Sequence, residues 1–450
     1  MLRQLVILAG GQGRRLAAIT GSIPKALVQV GGQPVLQHQL LLAAENGITD
    51  VRIFAGYLGD QIKEFVGDGA KFNLRVRVDI ESRPMGNAGA LLQGLDSLDE
   101  NFLVVYGDVM LSANLRRFAE IHSGNGADFT LVVHPNDHPH DSDLVEVDVE
   151  NRVTHLRIYP HSSDGCYRNL VNAGLYGVRR EALRPALGTL PKSDFTKDVL
   201  PALLASGAKV SAYRSMEYIK DMGTPERLES VEHDWRFGRI RPRTAGTLNP
   251  AVFFDRDGTL NVERGFVRSS EQFTLYAGAG EALRRLRTEG YRLVVVTNQP
   301  VIARGEATPE DVLAVHSKLE WELGKSGAFL DGIYVCPHHP DRGFPGERTE
   351  LKGLCRCRKP STGLVDQACE ELDIDRTRSW MIGDRTSDVE MARRANLRSI
   401  LVQTGAAGRD GKYPVLPDFT AEDLASAADL ILNTKRHDPA MERRPRLAIP

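Results

Sequence analysis

The chain has 450 residues, 42% hydrophobic and 26% charged, and Lys+Arg 57 against Asp+Glu 59 leaves a formal charge of −2. That balance excludes a disordered, collagen-like or coiled-coil chain, and it offers no basic excess for nucleic acid or an anionic membrane. No apolar run approaches the ~20 residues that span a bilayer and Met1-Leu2-Arg3-Gln4 opens no signal peptide, so a cytoplasmic protein is expected.

The first element is a strand, Gln4-Leu5-Val6-Ile7-Leu8-Ala9, which runs into Gly10-Gly11-Gln12-Gly13. A helix is predicted over 35–46 and strands over 50–55 and 102–106. Residues 236–250 are basic, with two prolines and two glycines and no apolar period, and read as a linker. A second strand-and-loop start follows: Ala251-Val252-Phe253-Phe254, then Asp255-Arg256-Asp257-Gly258-Thr259. A helix over 280–289 and strands over 293–296 and 380–382 continue the alternation. Continuous apolar strands alternating with helices predict an α/β fold with parallel sheets. The expected domains are 1–235 and 251–435, followed by a disordered tail at 436–450.

The first loop is neither a P-loop nor a dinucleotide fingerprint, because no Gly-Lys-Ser/Thr closes it and Leu16 stands where a third Gly is needed. Its glycines still let backbone N–H groups approach an anion, and Arg15 and Lys25 add charge suited to a polyphosphate. Asp108 ends an apolar strand and Asp221 precedes a tight turn. Two such carboxylates beside a polyphosphate loop suit Mg²⁺, a hard ion that prefers oxygen. Taken singly, each Asp is as well explained as a cap or turn residue.

The ordered set resembles the sugar-1-phosphate nucleotidylyltransferases over about residues 1–235. The shared motifs are Leu8-Ala9-Gly10-Gly11-Gln12-Gly13-Arg14-Arg15-Leu16, Pro24-Lys25, Pro84-Met85-Gly86-Asn87-Ala88-Gly89, Asn172-Ala173-Gly174, Asp108 and Asp221. The resemblance implies a Rossmann-like (GT-A-like) sheet and in-line attack of a sugar phosphate on the α-phosphorus of an NTP. Gly10, Gly11, Gly13, Gly86, Asn172 and Gly174 would bind nucleotide and sugar. Arg15 and Lys25 would hold phosphates, and Asp108 with Asp221 would hold Mg²⁺. The family's Glu-Lys-Pro before Asn-Ala-Gly is replaced by Ile158-Tyr159-Pro160. Tyr159 cannot replace a cation, and Arg157 and Arg168 are the candidates to compensate.

In the second half, Asp255 and Asp257 stand two apart at a strand end, where one can attack phosphorus and the other move a proton. A calcium loop fails because Leu260 occupies the position that needs Gly. Thr297, Lys359 and Asp384 follow in the order of the haloacid dehalogenase-like phosphatases, which this half resembles. The resemblance implies nucleophile Asp255, acid/base Asp257, phosphoryl-binding Thr297 and Lys359, and Mg²⁺ held by Asp255, Asp384 and the Asp257 carbonyl. Asn298 and Arg358 would contact substrate. Cys336, His338, Cys355 and Cys357 offer three thiolates and an imidazole for tetrahedral Zn²⁺. With Gly265-Phe266-Val267, that loop narrows the resemblance to the heptose-1,7-bisphosphate 7-phosphatases, whose sister group is histidinol-phosphatase. Pro300 and Val301 depart from the family's Ser-Gly.

Together these resemblances imply a bifunctional enzyme acting on small molecules, namely sugar phosphates and an NTP. It would remove the 7-phosphate of a heptose bisphosphate and then activate the heptose 1-phosphate, with GTP expected by analogy with heptose guanylyltransferases. A homo-oligomer is compatible with this. Another sugar phosphate or histidinol phosphate would keep both chemistries. A non-catalytic first domain that senses sugar nucleotides and regulates the phosphatase is the reading of a different class.

Overall fold

The computed structural model describes residues 2–11, 16, 21–148, 150–161, 165–189, 192–240 and 248–437. There are two compact units. The first comprises Met1–His134, Asp141–His161 and Leu170–Ala245, and the second Pro135–His140, Ser162–Asn169 and Gly246–Pro450.

The strands of the first unit are β1 Gln4–Ala9, β2 Gln29–Val30, β3 Gln33–Pro34, β4 Asp50–Ala55, β5 Arg75–Ile80, β6 Asn101–Tyr106, β7 Val109–Ser112, β8 Phe129–His134, β9 Leu144–Val147, β10 Val153–Arg157, β11 Val171–Arg179, β12 Val210–Arg214 and β13 Tyr218–Asp221. Its main sheet runs β10-β9-β11-β6-β1-β4-β5, with β8 and β12 attached beside β11. β6, β1, β4 and β5 are parallel, and β11 is antiparallel to β6. Burial on both faces explains the unbroken apolar run of β1. Leu5 and Ile7 enter a core on one face, while Val6 and Leu8 enter a core on the other. Leu36, Leu40 and Ala43 of the helix Val35–Glu45 cover the first face, and Leu200 and Leu203 of the helix Leu200–Ala205 cover the second.

In the second unit β14 Ala251–Phe254, β15 Arg292–Asn298, β16 Gly332–Cys336, β17 Trp380–Gly383, β18 Arg398–Val402 and β19 Phe419–Ala421 form one sheet in the order β16-β15-β14-β17-β18-β19. All its pairs are parallel. β14 lies centrally, which is why all four of its residues are buried. The helix Ala279–Thr288 follows the expected 3.6 period and buries Ala282, Leu283 and Leu286. The helix Leu424–His437 extends into the stretch expected as a tail, and 438–450 lie outside the described residues, as do 241–247 of the expected linker.

Two segments from early in the chain complete this unit. On the helix Pro309–Gly324, Glu320 is 1% exposed and accepts from Arg168 Nε at 2.7 Å and Asn169 N at 3.1 Å. Trp321 meets His140 and Tyr167 edge to face, and a Cβ at Gly324 would press on Pro139. Among the described residues no helix is long and apolar enough to cross a membrane.

Candidate active sites

In the first unit four parallel strands end along one edge, the side on which open α/β sheets bind ligands. Gly10 leaves β1 between Gly56, after β4, and Glu81, after β5. The Glu81 carboxylate fills the space a Cβ at Gly10 would need. Burial pushes the Glu81 carboxyl up, against the pull of the Met85 N–H bonded to it at 3.0 Å. Gly11 is exposed, while Gly13 and Arg15 lie outside the described residues.

Asp108 follows β6, and its carbonyl accepts the N–H of Met222 at 3.0 Å, directly after Asp221 at the end of β13. The two expected metal carboxylates therefore sit on adjoining backbone. Each is already paired with a cation of the chain. Lys25 Nζ lies 2.9 Å from Asp108. Arg227 Nη1 reaches both oxygens of Asp221, at 2.8 and 2.9 Å.

Asn172 opens β11, donating to Tyr176 Oη at 2.9 Å and accepting from Gly174 N at 3.2 Å. Tyr176 in turn meets Tyr106 Oη at 3.0 Å, and burial, first of all, pushes both phenols up. Gly86 has φ +81°, and a Cβ there would run into the carbonyl of Ser193, so only glycine fits. Tyr159 is half exposed and donates its N–H to Asp143 at 2.8 Å. Of the two arginines expected to replace its missing charge, Arg157 is paired with Glu146 at 2.8 Å and Arg168 with Glu320 at 2.7 Å.

In the second unit the groups sit at the carboxyl ends of neighbouring strands. Asp255 follows β14, Asp384 follows β17, and Thr297 and Asn298 end β15. Lys359 Nζ bridges Asp255 at 2.8 Å and Asp388 at 2.7 Å. Its backbone is fixed by Asn298, whose Oδ1 accepts Lys359 N at 3.0 Å and whose Nδ2 donates to Lys359 O at 3.3 Å. Oxygens of Asp255, Asp384 and Asp388 lie within 4.8 Å of one another, all three residues buried. One lysine against three carboxylates leaves a buried anionic excess, an arrangement that costs several kcal/mol per unpaired ion, about enough to force protonation or cation binding. Burial, then the Asp255 charge, pushes the Asp384 carboxyl up to about 8. Burial pushes Asp388 up to about 6 against the opposing pull of Lys359. Burial also works against the charge on Lys359, but its two carboxylate partners outweigh it and hold the ammonium up. Asp384 Oδ1 is buried with no hydrogen-bond partner. An orphaned oxygen among carboxylates fits a hard cation.

Asp257 is held differently. Arg256, fully buried, donates to both of its oxygens, at 2.7 to 3.1 Å. Gln299 adds a bond at 2.9 Å and Asn261 one at 3.0 Å. Burial pushes the Asp257 carboxyl up, but these donors outweigh it and hold it below the usual carboxylate range. Gln299 also donates to Thr297 Oγ1 at 2.9 Å, and Arg256 reaches His316 Nε2 at 3.1 Å. Burial, then Arg256, keeps His316 well below its ordinary value, hence neutral. Sequence reasoning passed over Arg256, Gln299 and His316. An arginine set between two acids at the end of an apolar strand was the available signal. It also gave no role to Asp388, one helical turn after Asp384, which the structure places in the carboxylate cluster as a partner of Lys359.

Cys336, at the end of β16, gathers with His338, Cys355 and Cys357. The Sγ–Sγ distances are 3.2, 3.4 and 3.7 Å, and His338 Nδ1 lies 3.2 and 3.7 Å from two of the thiols. A disulfide needs ~2.05 Å. Four ligands at ~2.3 Å around a tetrahedral centre stand about 3.7 Å apart, so the set has the dimensions of a zinc cage. Burial pushes the Cys336 and Cys357 thiols up. Burial also works against the Cys355 thiolate, but hydrogen bonds from Cys357 and the Arg358 N–H outweigh it and pull that thiol down. Arg358 Nη1 is tied to the His338 carbonyl at 3.0 Å. Leu354 is 100% exposed, so this loop has little core of its own to order it.

Two α/β units, each with a lysine paired to an acid that follows a parallel strand, define a two-site phosphate-handling enzyme. Residues 4–236 match the nucleotidyl transferase family and 356–427 the HAD-hydrolase-like family. The chain belongs to the nucleotidyl transferases through its first half and to the heptose-bisphosphate phosphatase family through its second. It is 44% identical over 186 residues to D-glycero-beta-D-manno-heptose-1,7-bisphosphate 7-phosphatase of Yersinia pestis, 41% of this chain and 90% of that protein. Among solved structures it is similar to HddC of Yersinia pseudotuberculosis, with TM-score 0.45, 24% identity, and 52% of this chain and 100% of that one covered. It is also similar to the D,D-heptose 1.7-bisphosphate phosphatase of B. bronchiseptica complexed with magnesium and phosphate, with TM-score 0.37, 31% identity, and 41% and 99% covered.

Proposed function

We propose that the chain removes the 7-phosphate of D-glycero-D-manno-heptose 1,7-bisphosphate and couples the resulting heptose 1-phosphate to a nucleotide, with GTP the first candidate. The observation that carries this reading is the Asp255–Lys359–Asp388–Asp384 cluster, joined in one chain to a nucleotidyl transferase half. The 44% identity to a heptose bisphosphate phosphatase supports the sugar. The phosphatase leaves a sugar 1-phosphate, which is what a nucleotidyl transferase consumes.

In the phosphatase site an Asp255 oxygen attacks phosphorus and the bond to the sugar oxygen breaks. Lys359 and Thr297 hold the phosphoryl oxygens. Asp257 gives the leaving oxygen a proton and then takes one from the water that releases phosphate. The Arg256 clamp favours the form of Asp257 that accepts a proton, so acting as acid requires it to leave that clamp. Asp255 and Asp384, with the Asp257 carbonyl, would hold Mg²⁺, which would neutralise the anionic excess. In the transferase site Asp108 and Asp221 would hold the second Mg²⁺ in place of Lys25 and Arg227, leaving those cations for phosphates. Arg15, with Gly13, completes the proposed triphosphate loop, and Gly10, Gly11, Gly86, Asn172 and Gly174 the nucleotide and sugar contacts. Asn298 and Arg358 are proposed to touch the bisphosphate. Cys336, His338, Cys355 and Cys357 are proposed to hold Zn²⁺.

Separate assays test the two halves: phosphate release from the bisphosphate, and pyrophosphate release from sugar 1-phosphates with an NTP panel. Elemental analysis of protein purified without chelator should find about one zinc per chain. Cys355→Ser should lose it and slow the phosphatase while sparing nucleotidyl transfer. Zinc-free, fully active protein would remove the metal from this account.

A further inference from the structure

We propose that Arg227 receives the phosphate of the sugar 1-phosphate, replacing the cation missing at Tyr159; the proposal rests on the nucleotidyl-transfer reading. Bringing a sugar phosphate against a triphosphate places two anions together, and a fixed cation at the attacking phosphate lowers that cost. Tyr159 supplies none, Arg157 faces Glu146, and Arg168 is committed to buried Glu320.

Arg227 is placed where the charge is needed. Its Nη1 lies on Asp221, beside Asp108. Its Nη2 comes within 3.9 Å of Asp141. Two residues on, Asp143 accepts the N–H of Tyr159 with its carboxylate at 2.8 Å and the N–H of Asn172 with its carbonyl at 3.3 Å. Arg227 thus joins the acidic pair to the segment that holds both the substituted position and the expected sugar contact. Its backbone is set by Thr224, whose hydroxyl caps the helix Pro225–Arg236 by accepting Arg227 N at 3.4 Å, with Pro225 opening the first turn. The side chain is 23% exposed, so a phosphate can reach it. A guanidinium fork also suits a phosphate better than an ammonium.

The test uses the full chain with Arg227→Gln and Arg227→Lys. With NTP saturating, Arg227→Gln should raise the KM for heptose 1-phosphate about 10- to 100-fold, and Arg227→Lys should recover part of that. The KM for NTP should stay within about twofold, and the Mg²⁺ concentration giving half-maximal rate should not rise, because Mg²⁺ then no longer competes with Arg227 for Asp221. An unchanged sugar-phosphate KM overturns the proposal. So does a raised Mg²⁺ requirement with that KM unmoved, since Arg227 would then serve Asp221 alone. Calorimetric titration of heptose 1-phosphate without NTP gives a readout free of turnover. Lost binding in Arg227→Gln supports the proposal even if no NTP is used, in which case only the transfer reading fails. Equal binding overturns it, and a wild type that binds no sugar phosphate overturns both.

Discussion

Asp255→Asn should lower phosphate release from the bisphosphate by about 10³-fold or more, because an amide cannot form the phosphoenzyme. Nucleotidyl transfer from added heptose 1-phosphate should be untouched. The same change should stabilise the metal-free protein against heat. Asp255 is one of three buried carboxylates around one lysine, and its charge is the second cause, after burial, of the raised Asp384 carboxyl. Removing it leaves Lys359 paired with Asp388 and relieves Asp384. Activity and stability should therefore move in opposite directions, as expected where a site stores electrostatic strain. A variant that keeps phosphatase activity would show that another group attacks phosphorus.

Arg168→Ala should cost the second unit about 3 kcal/mol, the scale for stranding one member of a buried ion pair. For a unit of this size that lowers the melting temperature of its transition by about 6–12 °C. Glu320 is buried, and among the described residues its carboxylate keeps the Asn169 N–H alone once Arg168 is gone. Adding Glu320→Gln should return much of the loss, since the buried charge goes with its partner. If Arg168→Ala melts like wild type, the contact does not hold in solution.

The fold was legible where periodicity was strong. The run from Gln4 to Ala9, which leads into glycines, suits an inner strand of a parallel sheet, and it is β1. Two acids of the phosphatase cluster were legible because Asp255 and Asp384 each follow an apolar strand and those strands are paired, whereas Asp388 comes from the helix Thr386–Ala395. What escaped was side-chain pairing across distant segments. Nothing local says that Arg168 will meet Glu320, 152 positions away. Nothing local says that Arg227 rather than Arg157 will face the Asp108–Asp221 pair. Asp257 shows the same limit: the family resemblance implies a proton carrier there, but only packing reveals Arg256 holding its proton affinity down.

The most direct test of the two-site account is a single reaction containing the full chain, heptose 1,7-bisphosphate, GTP and Mg²⁺, with products identified by mass. The account predicts one inorganic phosphate and one pyrophosphate for each nucleotide-activated heptose formed, and that sugar should carry no 7-phosphate. A nucleotide-sugar that retains the 7-phosphate, or phosphate release that never leads to a nucleotide-sugar with any NTP, would contradict it.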